Sequence, residues 1–295
     1  MTLREKIETK NALLFAAPWI IGFLAFVAYP IIASLYFSFC DYSVLSPPRW
    51  VGLYNYAEIF RTPNAWRAIV RTFAFALVAL PVSLGASLAL ALLLEKQSLG
   101  IRFFRTIFFL PALVPQVAVA ALLLWVFATD GVVNTAIGTF GLPAVPWLSR
   151  DLILATLLLV SVWTVGNAVV IFVAGLHEVP TELYESAQVD GAGYLRRAWH
   201  ISVPMISPVI LFNLVMGIIA ALGQFTIPYF ITSGNTQQEF GDAANFIATE
   251  INQEGMQSLR MGYASALAWV LLIAVIILTG LVLRVSARAV HYQGE

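Results

Sequence analysis

Six stretches without a charged residue, at 11–40, 72–94, 106–129, 152–176, 198–238 and 261–283, constrain what this chain can become. Each meets or exceeds the roughly 20 apolar residues that one helix needs to cross a bilayer. In hydrocarbon every backbone N–H and C=O must find its partner inside the protein, so such segments fold as helices. Composition agrees: 60% of the residues are hydrophobic, 11% are charged and the mean hydropathy is +0.85. A soluble domain of 295 residues needs far more charge to cover its surface. The pattern predicts an all-α membrane protein with one transmembrane domain over residues 1–295. Its six spans are expected near 12–39, 72–94, 106–129, 152–176, 204–228 and 261–283. The 198–238 run is too long for one helix, and Pro204–Pro228 is taken as its membrane part.

Orientation follows from Lys and Arg, which concentrate in short inner loops. With the N-terminus inside, the inner segments hold Arg4, Lys6, Lys10, Lys96, Arg102, Arg105, Arg196, Arg197, Arg284 and Arg288. The outer loops hold Arg49, Arg61, Arg67, Arg71, Arg150 and Arg260. This bias puts both termini in the cytoplasm and the chain, multi-pass, in the plasma (inner) membrane. A basic start before an apolar run also outlines a signal peptide. The run is about twice the length of a signal core, and no small-x-small cleavage site follows, so an uncleaved first span is expected.

Several chemistries have no residue basis. Only three lysines occur, Lys6, Lys10 and Lys96, none in a G-x-x-x-x-G-K context, so no phosphate loop of that type can form. The six spans lack Asp, Glu, Lys and Arg, which disfavours a proton- or sodium-coupled carrier working alone. Backbone-lined ion sites leave that alternative standing. Cys40 is the single cysteine, which rules out an internal disulfide and a cysteine metal cluster; it reads as a small apolar residue at a helix end. His177, His200 and His291 have no H-E-x-x-H spacing, and no metal site is expected. No catalytic serine setting is present, so the chain is not expected to be an enzyme. A net charge of zero gives no sign of nucleic-acid binding.

The first outer loop, Asp41–Arg71, carries Tyr42, Trp50, Tyr54, Tyr56 and Trp66, as an interfacial aromatic belt does. Within it Ala57–Ile69 reads as an interfacial helix broken at Pro63. The second, Asp130–Leu148, is rich in turn residues, and the third, Tyr229–Arg260, is the most polar.

The longest charged interruption is the inner loop EVPTELYESAQVDGAGYLRRAWHISVPMISP, Glu178–Pro208. Thr181 is suited to cap a short helix from Glu182 to Val189, with Glu182 where the helix dipole favours an anion. Asp190-Gly191 supplies the stop, because glycine tolerates the left-handed conformation that closes a helix. A second short helix, Tyr194–Ser202, is expected to end before Pro204. The residues alone leave open a hairpin resting on lipid or one docking into another protein.

Glu185, Ala187, Asp190, Gly191 and Ala192, followed by His200-Ile201 and Pro204, resemble the EAA loop of permease subunits of bacterial and archaeal ABC importers, in the version of the carbohydrate-uptake branch. Ser186 and Ala198 depart from the commonest residues of that loop. VGLYNYAEIF (Val51–Phe60) and Gly131, Asn134, Gly141 and Trp147-Leu148 are similar to recurring segments of the family, so the likeness spans the chain. The resemblance implies the six-helix permease fold of type I importers and a coupling loop over 178–203, with Glu182, Tyr184, Glu185, Ala187, Asp190, Gly191, Ala192 and Pro204 presented to a cytoplasmic ATPase. It further implies a second, related permease subunit, an ATPase dimer that binds ATP and magnesium, and an extracytoplasmic solute-binding protein. The chain itself would carry no cofactor.

A polar solute needs matching groups at mid-membrane. Ser161, Trp163, Thr164, Gly166 and Asn167 form one such cluster, and Gly223, Gln224, Phe225, Thr226 and Tyr229 the other. The resemblance points to the same stretches, WTVGN (Trp163–Asn167) and GQFTIPYFIT (Gly223–Thr232), as lining the sugar cavity. The expected pathway is Trp163, Gly166, Asn167, Gln224, Phe225 and Tyr229. The competing reading makes Asn167 and Gln224 inter-helix hydrogen-bonding groups and Trp163 a packing residue. Ser34, Ser83, Ser87 and Ser265 read as packing residues. The function expected is import of a sugar or oligosaccharide, with a polyol or glycerol-3-phosphate as alternatives.

Overall fold

The computed structural model describes residues 3–95, 99–233 and 241–286. Lys96, Arg288 and His291, and positions 234–240 of the third outer loop, lie outside them. Among the described residues four helices are long and apolar enough to cross a membrane: Asn11–Ser38, Pro63–Leu94, Ser207–Thr232 and Met261–Ser286. Two bent pairs, Gly100–Leu113 with Gln116–Val126 and Ile153–Trp163 with Gly166–His177, raise the number to six if each pair is one span.

Prolines and hydroxyls explain where the helices bend. Pro30 follows a widened π turn, Leu24–Ala28, in which the Tyr29 N–H reaches back to the Leu24 carbonyl. The wider turn makes room for a ring that would clash with the carbonyl four residues earlier. The third span is not the straight helix expected over 106–129. Pro115 drives Val114 to an extended ψ of 129°, and the two halves meet at 98°. The fourth span bends by 41° where Ser161 and Thr164 donate to the Leu157 and Val160 carbonyls, at 2.9 and 3.0 Å. Such back-bonding competes with the helix ladder and bends it. The second span starts earlier than expected. Thr62 is extended, and Pro63 opens the 32-residue helix Pro63–Leu94 instead of breaking an interfacial one. Proline suits the first helical position because the N–H it lacks would be unpaired there anyway.

The chain forms two compact units, one of residues up to 66 with 250–270, the other of 67–249 with 271 onward. The first adds a small antiparallel hairpin, Cys40–Ser43 with Ser46–Trp50, pairing Asp41 with Arg49. The Asn55 amide donates to the Ser38 and Cys40 carbonyls, each at 2.9 Å, and holds the hairpin's base. Gly262 lies so close to the Cys40 carbonyl that no Cβ fits.

In the second unit, Phe75, Leu123, Ile153, Leu157, Ile231 and Phe246 pack into one core. Ala91, Leu94, Phe172, Leu176, Val179 and Ile206 form another beneath the 178–206 loop. Ile218 and Leu222 pack with Leu271 and Leu278 in a third.

Candidate functional site

The 178–206 loop opens with Pro180, not Thr181, at the cap position. Thr181 is already helical, in Thr181–Val189, and makes no capping bond. The closing turn follows the sequence. Gly191 takes φ +74°, its N–H donates to the Gln188 carbonyl at 3.0 Å, and the Ala192 N–H donates to the Ala187 carbonyl at 2.9 Å. This bond pair satisfies helix carbonyls that would otherwise be orphaned. A Cβ on Gly191 would meet nothing within 4 Å, so conformation alone calls for glycine there.

The return arm does not stop at Ser202. Tyr194–Arg197 passes into a π turn, Ala198–Ser202, and on through Val203–Met205. Pro204 is accommodated within this arm because the wide turn clears its ring and the missing N–H leaves only one ladder bond unmade.

Three contacts fix the hairpin. The Tyr184 and Ser202 hydroxyls bond at 2.9 Å, Tyr194 Oη donates to the Leu92 carbonyl at 2.5 Å, and Arg197 Nη1 donates to Gln188 Oε1 at 3.4 Å. Burial pushes both phenols above their ordinary pKa of 10.0, although the Ser202 bond opposes this at Tyr184, so they remain neutral donors. The outer face is the reverse. Glu182, Glu185 and Asp190 are exposed with no side-chain partner among the described residues, beside Val189 at 88% and Leu195 at 72% exposure. Ala187 and Ala192 are half-buried.

The breaks at mid-span line two cavities of about 420 Å³ each. Ser161, Thr164, Asn167 and Gln224 line both. Phe225 and Thr226 line one, together with Gln116 from the elbow after Pro115. Ser83, Ser87 and Asn213 line the other. Among the described residues no charged side chain lines either cavity. The Asn167 and Gln224 amides make no hydrogen bond to another helix among the described residues, so both are free to meet a solute.

The remaining expected residues sit elsewhere. Trp163 is 48% exposed and lines neither cavity. Tyr229 stacks behind Phe225, with ring centroids 4.9 Å apart. Gly166 is buried, and a Cβ there would lie 2.8 Å from the Phe108 carbonyl oxygen, so it is a close-packing glycine. Sequence reasoning missed Gln116 and Asn213, whose only signal was a lone amide in an apolar run. It also assigned Ser83 and Ser87 to packing alone.

Broken apolar spans around an uncharged polar interior, with a charged hairpin between two of them, are features of a membrane transport subunit. Residues 82–291 match the family described as the binding-protein-dependent transport system inner membrane component, and the chain belongs to it. It is therefore an inner-membrane ABC importer permease of the type I fold. It is 37% identical over 288 residues to the probable ABC transporter permease protein YesP of Bacillus subtilis, covering 95% of this chain and 92% of that one. It is 29% identical over 300 residues to the arabinooligosaccharides transport system permease protein AraP of the same organism, covering 99% and 93%. Among solved structures, a bacterial alginate ABC transporter in complex with an alginate pentasaccharide-bound periplasmic protein superposes with a TM-score of 0.86 at 26% identity, covering 97% of each chain.

Proposed function

We propose that this permease carries a neutral sugar or short oligosaccharide, delivered by an extracytoplasmic binding protein, through a path lined by Asn167, Gln224, Ser161, Thr164 and Phe225. The observation that carries this is the uncharged pair of cavities with two unpaired amides between them. Amides and hydroxyls match sugar hydroxyls, and the Phe225 ring offers an apolar face. A phosphorylated solute calls for a cation, and among the described residues none lines these cavities. The relatives' named substrates, arabinooligosaccharides and alginate, support the saccharide class.

The rest of the machine follows from the same reading. Both termini face the cytoplasm, and residues 1–295 act as one transmembrane permease domain beside a second, homologous permease. A cytoplasmic ATPase dimer holds ATP and magnesium. It takes the exposed face of Thr181–Val189, with Glu182, Glu185 and Asp190, into its groove. Energy from nucleotide then reaches the broken spans through the Tyr184 and Tyr194 anchors.

The test is uptake by the whole complex in proteoliposomes, with labelled lactose, arabinotriose, sorbitol and sn-glycerol-3-phosphate offered in turn. ATP-dependent accumulation of lactose or arabinotriose is expected. Accumulation of glycerol-3-phosphate alone, or sugar accumulation by the lone permease, overturns the reading.

A further inference from the structure

The loop between the first two spans holds a cavity that the transport path does not use. The hairpin, the helix Tyr54–Arg61 and the first turn of Met261–Ser286 enclose about 600 Å³, sharing no residue with the mid-span cavities. The volume lies within the usual range for small-ligand pockets. Tyr42, Tyr54 and Tyr263 supply aromatic surface. Three ion pairs flank them, Arg49 with Asp41 at 3.6 Å, Arg260 with Glu58, and Arg260 with Glu254 at 3.3 Å. The Arg260 guanidinium also sits 4.5 Å over the Tyr263 ring, which fixes its plane.

Two lining carboxylates face two lining guanidiniums and Glu254 adds a third acid behind Arg260, so the pocket offers no net positive charge to an anion. Each carboxylate still has lone pairs, and each guanidinium still has N–H groups, beyond those its partner uses. Paired acids and arginines beside aromatic rings therefore offer acceptors and donors for neighbouring hydroxyls, and flat apolar faces for sugar C–H groups. Tyr54 is 60% exposed, and its side chain has no ring or hydrogen-bond partner among the described residues. The Tyr263 hydroxyl is buried beside the Thr62 side chain.

We propose that this pocket is a second saccharide site, on the extracytoplasmic side, that binds a neutral di- or trisaccharide. Its location rests on the inner N-terminus, and its ligand class on the sugar reading.

The experiment uses the full importer in nanodiscs without its binding protein, probed by saturation-transfer NMR with lactose and arabinotriose. Binding is expected for wild type and for Gln224→Ala. Tyr54→Ala combined with Arg49→Ala should weaken it roughly five- to tenfold. Tyr54→Phe should restore most of it, because the ring face is kept. Correct assembly of each variant is checked by its thermal melt. No binding to a wild-type complex that accumulates either sugar overturns this proposal and leaves the transport reading intact. So does binding lost in Gln224→Ala but not in the Tyr54 and Arg49 variant. If the variant instead loses affinity only for the binding protein, with sugar binding unmoved, the pocket is a protein-docking surface and the proposal fails.

Discussion

The 178–206 hairpin and the mid-span cavities solve opposite problems with similar residues. In the hairpin, carboxylates and apolar side chains are left outside without partners, while two tyrosines and an arginine tie the underside down. In the spans, amides and hydroxyls are gathered inside, where helix breaks create space for them. On the reading proposed above, one surface docks a protein and the other takes a small solute. The difference teaches that side-chain ties hold an exposed hairpin in shape, whereas breaks in the helix backbone open room for polar groups inside the spans.

The strongest way to break the comparison is charge reversal at Glu185. A paired interfacial charge that becomes buried typically contributes about 2–5 kcal/mol, whereas a rim charge contributes little. Glu185 has no partner within the described chain, so Glu185→Lys should leave the permease folded while most ATPase is lost from the detergent-purified complex. Unchanged ATPase retention with unchanged transport would show that the hairpin is not the docking element.

The cavity arm is tested next. Removing one hydrogen-bonding amide is worth about 1–3 kcal/mol when the partner is left unsatisfied. Asn167→Ala and Gln224→Ala should each raise the KM for sugar uptake roughly five- to fiftyfold, with ATPase retention as in wild type. Kinetics identical to wild type in both would remove these amides from the path.

A smaller effect sharpens the role of the turn. A left-handed φ costs a branched side chain about 1–3 kcal/mol, and asparagine less. Gly191→Val should therefore reduce ATPase retention, and Gly191→Asn should retain most of it. Equal losses in both would mean that something other than φ +74° demands glycine, although the space around the Cα is open.

The smallest effect belongs to the anchor. Tyr184→Phe removes the 2.9 Å bond to Ser202 and should cost about 0.5–1.5 kcal/mol, read as a modest fall in melting temperature with transport kept. Burial raises the Tyr184 phenol in the folded protein, so its contribution is intact below pH 10.0 and declines as pH rises beyond it, where the unfolded phenol ionises first. The phenylalanine variant should lose that part of the alkaline decline.

Much of this was written in the sequence. Absence of charge over six runs dictated membrane helices, because hydrocarbon leaves the backbone no other way to pair its groups. Asp190-Gly191 dictated the turn, because a left-handed residue is a local steric matter. Local rules also misled. Thr181 looked like a cap until Pro180 took that place, and Pro204 looked like a stop until a π turn made room for its ring. The 98° elbow at Val114–Pro115 was signalled only by the prolines, which say that a helix breaks but not which way the chain then runs.

Only the tertiary structure decided the cavities. Asn167 and Gln224 are 57 positions apart in sequence and share two cavities, whereas Trp163 and Gly166, beside Asn167, line neither. Residue type fixes what a side chain can bond. Which neighbours it meets depends on how bent helices from distant parts of the chain pack, and no local pattern encodes that direction.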